Sequence, residues 1–300
     1  MAVILTGISD FSMSCQSLDN LLFNWDSAYT TRISLFPRIW YSRIGIDEKK
    51  LVVSSKLKEK NGELHGAALS SDIGLSQEKA KSELVERIAY VHYFENDTLG
   101  ARLDLDNSST GFAALPKKFS PAAVREGAIC ESLERWFLNQ IFYKQNICLN
   151  RKRLITGLIH YSGQINFCHK KYFFSLVLKE GKNGFLSGAA MATDKQSSFL
   201  SAKFELLYHI HKIKRWQTRK EQMNKKNILE VRTQNFYSNK KLASDYLQKL
   251  SVCEKNQFKT PDIICDIPLY GIWDKSYHVH RILVSDSESI YKGGIEKMML

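Results

Sequence analysis

Three segments of this chain share one helical pattern: Ala80-Lys-Ser-Glu-Leu-Val-Glu-Arg87, Ala128-Ile-Cys-Glu-Ser-Leu-Glu-Arg135 and Ala202-Lys-Phe-Glu-Leu-Leu-Tyr-His209. Each places Ala three residues before Glu. The first two continue as Glu-x-x-Glu-Arg, whereas the third carries Tyr208 and His209 in place of the second acid and the base. Positions i, i+3 and i+4 of a helix share one face, so Glu83, Glu86 and Arg87 project together, as do Glu131, Glu134 and Arg135. Leu84, Ile88 and Val91 form an adjoining apolar stripe, which sets the first acids at the flank of a packed face. The intervals between the segments are unequal, and that excludes a solenoid of stacked repeats. They fit a domain built from related strand–loop–helix units.

The remaining chain reads accordingly. Strands are expected across 38–70, with Asn61-Gly62 as a hairpin turn. Ser76 is the expected N-cap of a helix from Gln77 to about Phe94. A strand and a small-residue loop, Asn107–Ala114, precede Ser120-Pro121, which reads as N-cap and N1 of a helix to about Tyr143. Strands at 153–160, 164–169 and 172–178 lead to a second small loop, Gly184–Ala190, and a third helix over about 196–216. Strands within 260–285 complete the unit, and a short helix is expected near Ser17–Phe23. The expected fold is α/β, in the stricter sense α+β, as one domain over 1–300.

With 44% hydrophobic residues in 300, such a chain can bury a substantial core. No apolar run approaches a membrane span, and MAVILTGISDF has no basic segment before its apolar stretch, so neither a membrane nor a secretory route is expected. The cysteines at 15, 130, 148, 168, 253 and 265 contain no Cys-x-x-Cys and fit neither a zinc site nor a disulfide framework. They read as thiols in a reducing, cytoplasmic compartment. Much of the net charge of +12 lies in 212–226, which reads as a solvated helix end; only Trp216 interleaves the bases there, so nucleic acid is not the expected partner.

A single Glu-x-x-Glu-Arg is ordinarily a solvated helix face with an internal ion pair. Two copies in register, each behind a small-residue stretch, point further. If the helices face one another, Glu83, Glu86, Glu131 and Glu134 converge, and four unpaired carboxylates call for a divalent cation. Magnesium takes oxygen ligands and shares them with phosphates, which Arg87 and Arg135 could clasp. His209 and His211 do not share a helix face; His278 and His280 alternate on a strand, yet no third ligand is evident. No Ser-His-Asp or Cys-His set is recoverable, so no catalytic residue is assigned.

GLSQEKAKSELVER, the NSSTGFAA loop with AICESLER, and the stretch from GAAMATD to AKFE resemble the three signature blocks of the YcaO family, in its order, over roughly 66–210. The resemblance implies strand–loop–helix units around a central nucleotide site. It also implies ATP-dependent activation of backbone amides in a ribosomally made peptide. In the family's cyclodehydratases a Cys, Ser or Thr side chain attacks the preceding carbonyl, ATP phosphorylates the oxyanion, and phosphate loss leaves an azoline; other members make thioamides or amidines. ATP and Mg2+ are the implied cofactors. The metal-holding role carries over to Glu83, Glu86, Glu131 and Glu134, and Lys79, Arg87, Arg135 and Arg281 are the candidate nucleotide contacts.

Three positions depart from the family pattern: Lys79 where a Ser is common, Ala123 where a Glu is common, and Ser201 where an Arg is common. The sequence ends Glu-Lys-Met-Met-Leu where many cyclodehydratases are Pro-rich, and at 300 residues no fused leader-binding or zinc-containing partner domain is expected. The implied partners are a precursor peptide and a separate E1-like or leader-binding protein within a homo- or hetero-oligomer, and a flavin dehydrogenase fits the same assembly. Two further readings stay open: a divergent, non-catalytic YcaO-like scaffold subunit, and a basic nucleic-acid-binding protein.

Overall fold

A computed structural model of the chain describes residues 27–33, 36–47, 63–94, 111–144, 147–181, 184–219, 237–251 and 259–286. Strands β1 (Ser27–Ile33), β2 (Phe36–Asp47) and β3 (Glu63–Ser70) pair antiparallel in that order and lead into helix α1 (Ile73–Phe94). Strand β4 (Phe112–Pro116) is followed by α2 (Pro121–Asn139), which widens into a π-helical turn at Gln140–Lys144. An antiparallel meander of β5 (Asn150–Arg153), β6 (Ile159–Phe167), β7 (Lys170–Glu180) and β8 (Phe185–Ala192) feeds α3 (Lys195–Arg219). After α4 (Lys240–Ser251), strands β9 (Ile263–Leu269) and β10 (Tyr277–Val284) return to the first half, β10 lying between β4 and β9. The fold is mixed α and β with antiparallel sheets.

Sheets and helices alternate in a closed circuit. Helix α1 packs Ala80, Leu84 and Ile88 against Ile44 of the first sheet and against Phe112, Ala114 and Val279 of the second. Helix α2 lays Ala128, Leu133 and Phe137 between Ile282 of the second sheet and Phe174, Leu176 and Ala189 of the third. Helix α3 closes the circuit, with Ala202, Leu206 and Ile210 between Val177 and Leu186 of the third sheet and Tyr41 and Leu69 of the first. Each large apolar side chain removed from water in these seams contributes about 1.5–3 kcal/mol.

Two of the three units are near copies. The sequence from Gly66-Ala67-Ala68 to Leu84 matches that from Gly188-Ala189-Ala190 to Leu206 without a gap, sharing Asp72/Asp194, Ser76/Ser198, Ala80/Ala202, Lys81/Lys203 and Glu83/Glu205. The structure repeats with it. Asp72 caps α1 by accepting from the Leu75 amide at 2.7 Å, and Asp194 caps α3 by accepting from Ser197 at 2.8 Å. Ser76 joins Ser42 of β2 at 2.6 Å, and Ser198 joins Ser175 of β7 at 2.8 Å. Ser42 and Ser175 each face the second alanine of their motif, Ala68 or Ala190. A Cβ at Gly66 would stand 1.9 Å from the Ala80 carbonyl oxygen, and one at Gly188 2.2 Å from that of Ala202. Glycine and alanine thus face each other so that strand and helix backbones touch.

Several boundaries differ from those expected. Ser76 lies buried inside α1, not at its cap, because Asp72 ends the preceding turn with a better-placed side-chain acceptor. Ser120 does cap α2, accepting from the Ala123 amide at 3.2 Å, with Pro121 at N1. The small stretch at Gly184–Ala190 is mostly strand β8, buried along its length, since small residues let α3 approach it. Likewise Phe112–Pro116 is strand, while residues 107–110 lie outside the described residues, as do Asn61-Gly62, Ser17–Phe23 and 220–226. Of the strands expected at 153–160, 164–169 and 172–178, the first is largely a turn before β6, the second is part of β6 and the third lies in β7, while β5 was not expected; β6 and β7 are joined by Cys168-His169 at φ 48° and 62°. Helix α4 was not anticipated, although Leu242, Ala243, Tyr246, Leu247 and Leu250 have helical spacing and pack on α2's core. One cysteine expectation is overturned: Cys148 is disulfide-bonded, whereas Cys130, Cys168 and Cys265 are thiols.

Candidate functional site

Glutamates on the three helices meet the edge strands of the three sheets. Glu83 Oε2 accepts from the Ala67 amide of β3 at 2.7 Å, and Glu205 Oε2 accepts from Ala189 of β8 at 2.9 Å. Glu131 takes the amides of Gly111 and Phe112, at the start of β4. These three are the first acids of their motifs, and each binds the strand just before its own helix. The second acids reach onward. Glu86 Oε1 accepts from Ala114 of β4 at 3.0 Å, and Glu134 accepts from Met191 of β8. Each Glu-x-x-Glu therefore ties one helix to two sheets, and charge-assisted bonds satisfy edge amides that would otherwise be buried unpaired.

The third helix departs where its sequence does. Tyr208, in place of the second acid, stacks on Tyr41 of β2 with ring centroids 5.9 Å apart. His209, in place of the arginine, is buried, and its Nδ1 donates to the Ser187 carbonyl at 2.7 Å. Burial lowers its pKa, which keeps the ring neutral. The circuit is closed there by aromatic packing in place of a carboxylate.

The five acids repel along the line Glu83–Glu86–Glu131–Glu134–Glu205. Burial drives the Glu86 carboxyl well above its ordinary pKa, with the charges of Glu131 and Glu83 adding and the Ala114 amide opposing. Burial also raises Glu131, against the pull of Arg135, Arg281 and two backbone amides. The Glu134 carboxyl, 13% exposed, is pushed up to about 8 by burial; Arg135 opposes this, and Glu205 and Glu131 reinforce it.

The expected cationic residues divide into two groups. Arg135 is 3.4 Å from Glu134 and Arg281 is fully buried, its guanidinium 4.8 Å from the centre of the Phe112 ring, so both stand within the acidic line. Arg87 bridges Glu83 from the more exposed side of α1. Lys79 stands apart from the acids, 6.0 Å over the Phe204 ring of α3, and burial lowers its pKa. Of the departures, Ala123 lies in the first turn of α2 and Ser201 is exposed on α3. On β10, His280 Nε2 bonds Asp266 at 2.7 Å, while His278 Nδ1 faces Lys117 at 3.2 Å.

Among the described residues no three His, Cys, Asp or Glu side chains are set to enclose one metal ion. A dehydration-averse cation that takes one or two carboxylates and completes its shell with phosphate and water does not need such a cage, and this spread of oxygen donors fits it. Glu205 was missed as a member of the acidic line. The signal was available in the matched run of Gly, Ala, Asp, Ser and Ala that precedes both Glu83 and Glu205.

No family model matches the sequence, and no curated protein matches it either. Solved structures do. The E. coli microcin synthetase McbBCD complex aligns with TM-score 0.54 at 10% identity, over 86% of this chain and 87% of that one. The same complex with pro-MccB17 bound gives 0.54 at 10% identity, over 87% and 89%. A YcaO from Methanopyrus kandleri bound with AMPPCP and Mg2+ gives 0.49 at 11% identity, over 88% and 86%. At such identities the likeness bears on the fold alone, which is shared with a chain of the microcin synthetase complex.

Proposed function

We propose that the protein performs an ATP- and Mg2+-dependent activation of backbone amides in a ribosomally made precursor peptide, forming azolines as one subunit of a multi-protein synthetase. The observation that carries this reading is the line of five mutually repelling glutamates, Glu83, Glu86, Glu131, Glu134 and Glu205, across three helices. A core of packed residues gains nothing from such repulsion, whereas a bound cation would relieve it. Glu83, Glu86 and Glu205 each give one identified oxygen to a backbone amide, which fixes the carboxylate's direction. Glu83, Glu86, Glu131 and Glu134, one or two to each ion, would hold magnesium ions whose shells phosphate oxygens and water complete. Arg135 and Arg281 balance the acids from inside, and Arg87 and Lys79 supply positive charge from the exposed side for phosphate groups. Bound ATP would supply the phosphoryl group that turns an amide oxygen into a leaving group. A precursor peptide and an E1-like or leader-binding partner complete the assembly, by analogy with the microcin synthetase complex.

A second reading, a non-catalytic YcaO-like scaffold subunit, draws on the same hydrogen bonds: every one of the five acids already has a backbone partner, so the motif can be retained for folding alone. The two separate in a turnover assay of the assembled complex. The enzyme reading expects phosphate release from ATP in step with loss of water from the peptide, both abolished by Glu134→Gln. Full turnover with Glu134→Gln, together with none when this subunit is omitted, would establish the scaffold instead.

A further inference from the structure

The third sheet has two edges with different surroundings. Strand β8 meets α2 and α3 at the acidic line through Ala189 and Met191. The opposite edge is β5, and among the described residues no strand pairs with its outer side. Its four residues, Asn150-Arg151-Lys152-Arg153, are all exposed. Next to this edge a groove of about 640 Å³ lies between a face of the sheet, at Arg151 of β5, Tyr161 of β6 and Glu180 of β7, and helix α4, at Ser244, Leu247 and Gln248. Glu180 is paired with Arg153 at 3.3 Å, so Arg151 and Lys152 leave the edge with net positive charge.

We infer that the β5 edge and the groove beside α4 form a docking site for an extended, acidic peptide segment, which binds as an added fifth strand of the third sheet. An edge strand offers main-chain donors and acceptors at the spacing that an extended peptide matches, and side-chain pockets beside it read alternate residues. Leu247 gives the groove an apolar wall, and Arg151 and Lys152 select acidic side chains. Single-stranded nucleic acid fits less well: Tyr161, the aromatic residue of the groove, is buried and presents no ring for base stacking. Three strand spacings, roughly 14 Å, separate β5 from β8. A segment docked on β5 thus leaves the acidic line accessible to another part of the same chain. The inference rests on the proposed function only in taking that chain to be the peptide substrate.

The test uses the full-length protein and a short fluorescein-labelled peptide that alternates Asp or Glu with Val and Thr, read by fluorescence anisotropy. Saturable binding is expected. It should weaken roughly tenfold or more in the triple variant Arg151→Ser, Lys152→Ser, Arg153→Ser, and as much when alternate amides of the peptide are N-methylated, which keeps its charge and removes its strand pairing. Circular dichroism and the melting temperature confirm that the variant folds. Equal binding by the N-methylated peptide would reduce the site to general charge attraction, and unchanged binding by the triple variant would place it elsewhere; either overturns the inference. No saturable binding, or tighter binding of a short single-stranded DNA, overturns it as well, the first leaving the basic edge as a guard against aggregation. ATP affinity of the triple variant should equal that of wild type, so failure here is distinguishable from failure of the proposed function.

Discussion

Glu86 of α1 accepts the Ala114 amide of β4 at 3.0 Å, tying the helix to a sheet other than the one that delivers it. The two possible roles of this carboxylate separate by substitution. Glu86→Ala leaves the Ala114 amide without its acceptor and should destabilise the protein by about 1–3 kcal/mol in urea unfolding. Glu86→Gln keeps an acceptor oxygen and removes a buried charge, so stability should hold or rise while Mg2+-dependent ATP affinity falls. Equal affinity in wild type and Glu86→Gln would remove this residue from the metal site.

The glycine contacts make a sharper stability test. Gly66→Ala and Gly188→Ala would each drive a methyl group into helix backbone, at 1.9 Å and 2.2 Å from a carbonyl oxygen. Neither strand nor helix can yield without opening the seam, and each change should cost roughly 2–4 kcal/mol. Gly181→Ala meets nothing closer than 3.6 Å and serves as the control. Thermal melts of the three variants read the comparison directly, and similar melting temperatures for all of them would refute the close approach.

The acidic line should contribute stability that is lost with rising pH in the ligand-free protein. The Glu134 carboxyl titrates near 8 when folded, above its ordinary value when unfolded, so the native state holds the extra proton between those limits. At this group the unfolded state then binds fewer protons, and its contribution to stability declines as pH rises from about 5 to about 8. Glu86 acts in the same direction. The histidines His92, His160, His209 and His280, whose pKa burial lowers, act in the opposite sense, so the test is a difference: between pH 5 and 8 the melting temperature of Glu134→Gln should fall less, or rise more, than that of wild type. A slope unaltered in the variant would mean that the Glu134 charge is not buried as described.

Much of this arrangement was legible in the sequence because it repeats. The Ala-x-x-Glu pattern marked all three helices, and the i, i+3 spacing correctly placed Glu83 with Glu86 and Glu131 with Glu134. What escaped was where each acid goes. That Glu86 and Glu134 bind the next sheet along the circuit depends on non-local pairing of β4 with β10, which no local spacing encodes. Arg281 was read as a candidate nucleotide contact; its place beside Glu131 follows from the same pairing. Strand β8 was read as a loop because Gly188, Ala189 and Ala190 lack the branched side chains of ordinary strands, although those small residues are what α3 requires. Cys148 was read as a thiol because six cysteines without a regular spacing give no sign of a single bridge.

The claim on which the account turns is that the acidic line binds a metal–nucleotide complex, and calorimetric titration of the wild-type protein with ATP and Mg2+ addresses it most directly. Glu83→Gln with Glu131→Gln keeps side-chain size and one acceptor oxygen at each position and removes two anionic ligands, so the fold should persist. The account predicts Mg2+-dependent ATP binding to the wild type and none to the folded double variant. Undiminished affinity in that variant, or no binding to the wild type at all, would contradict it.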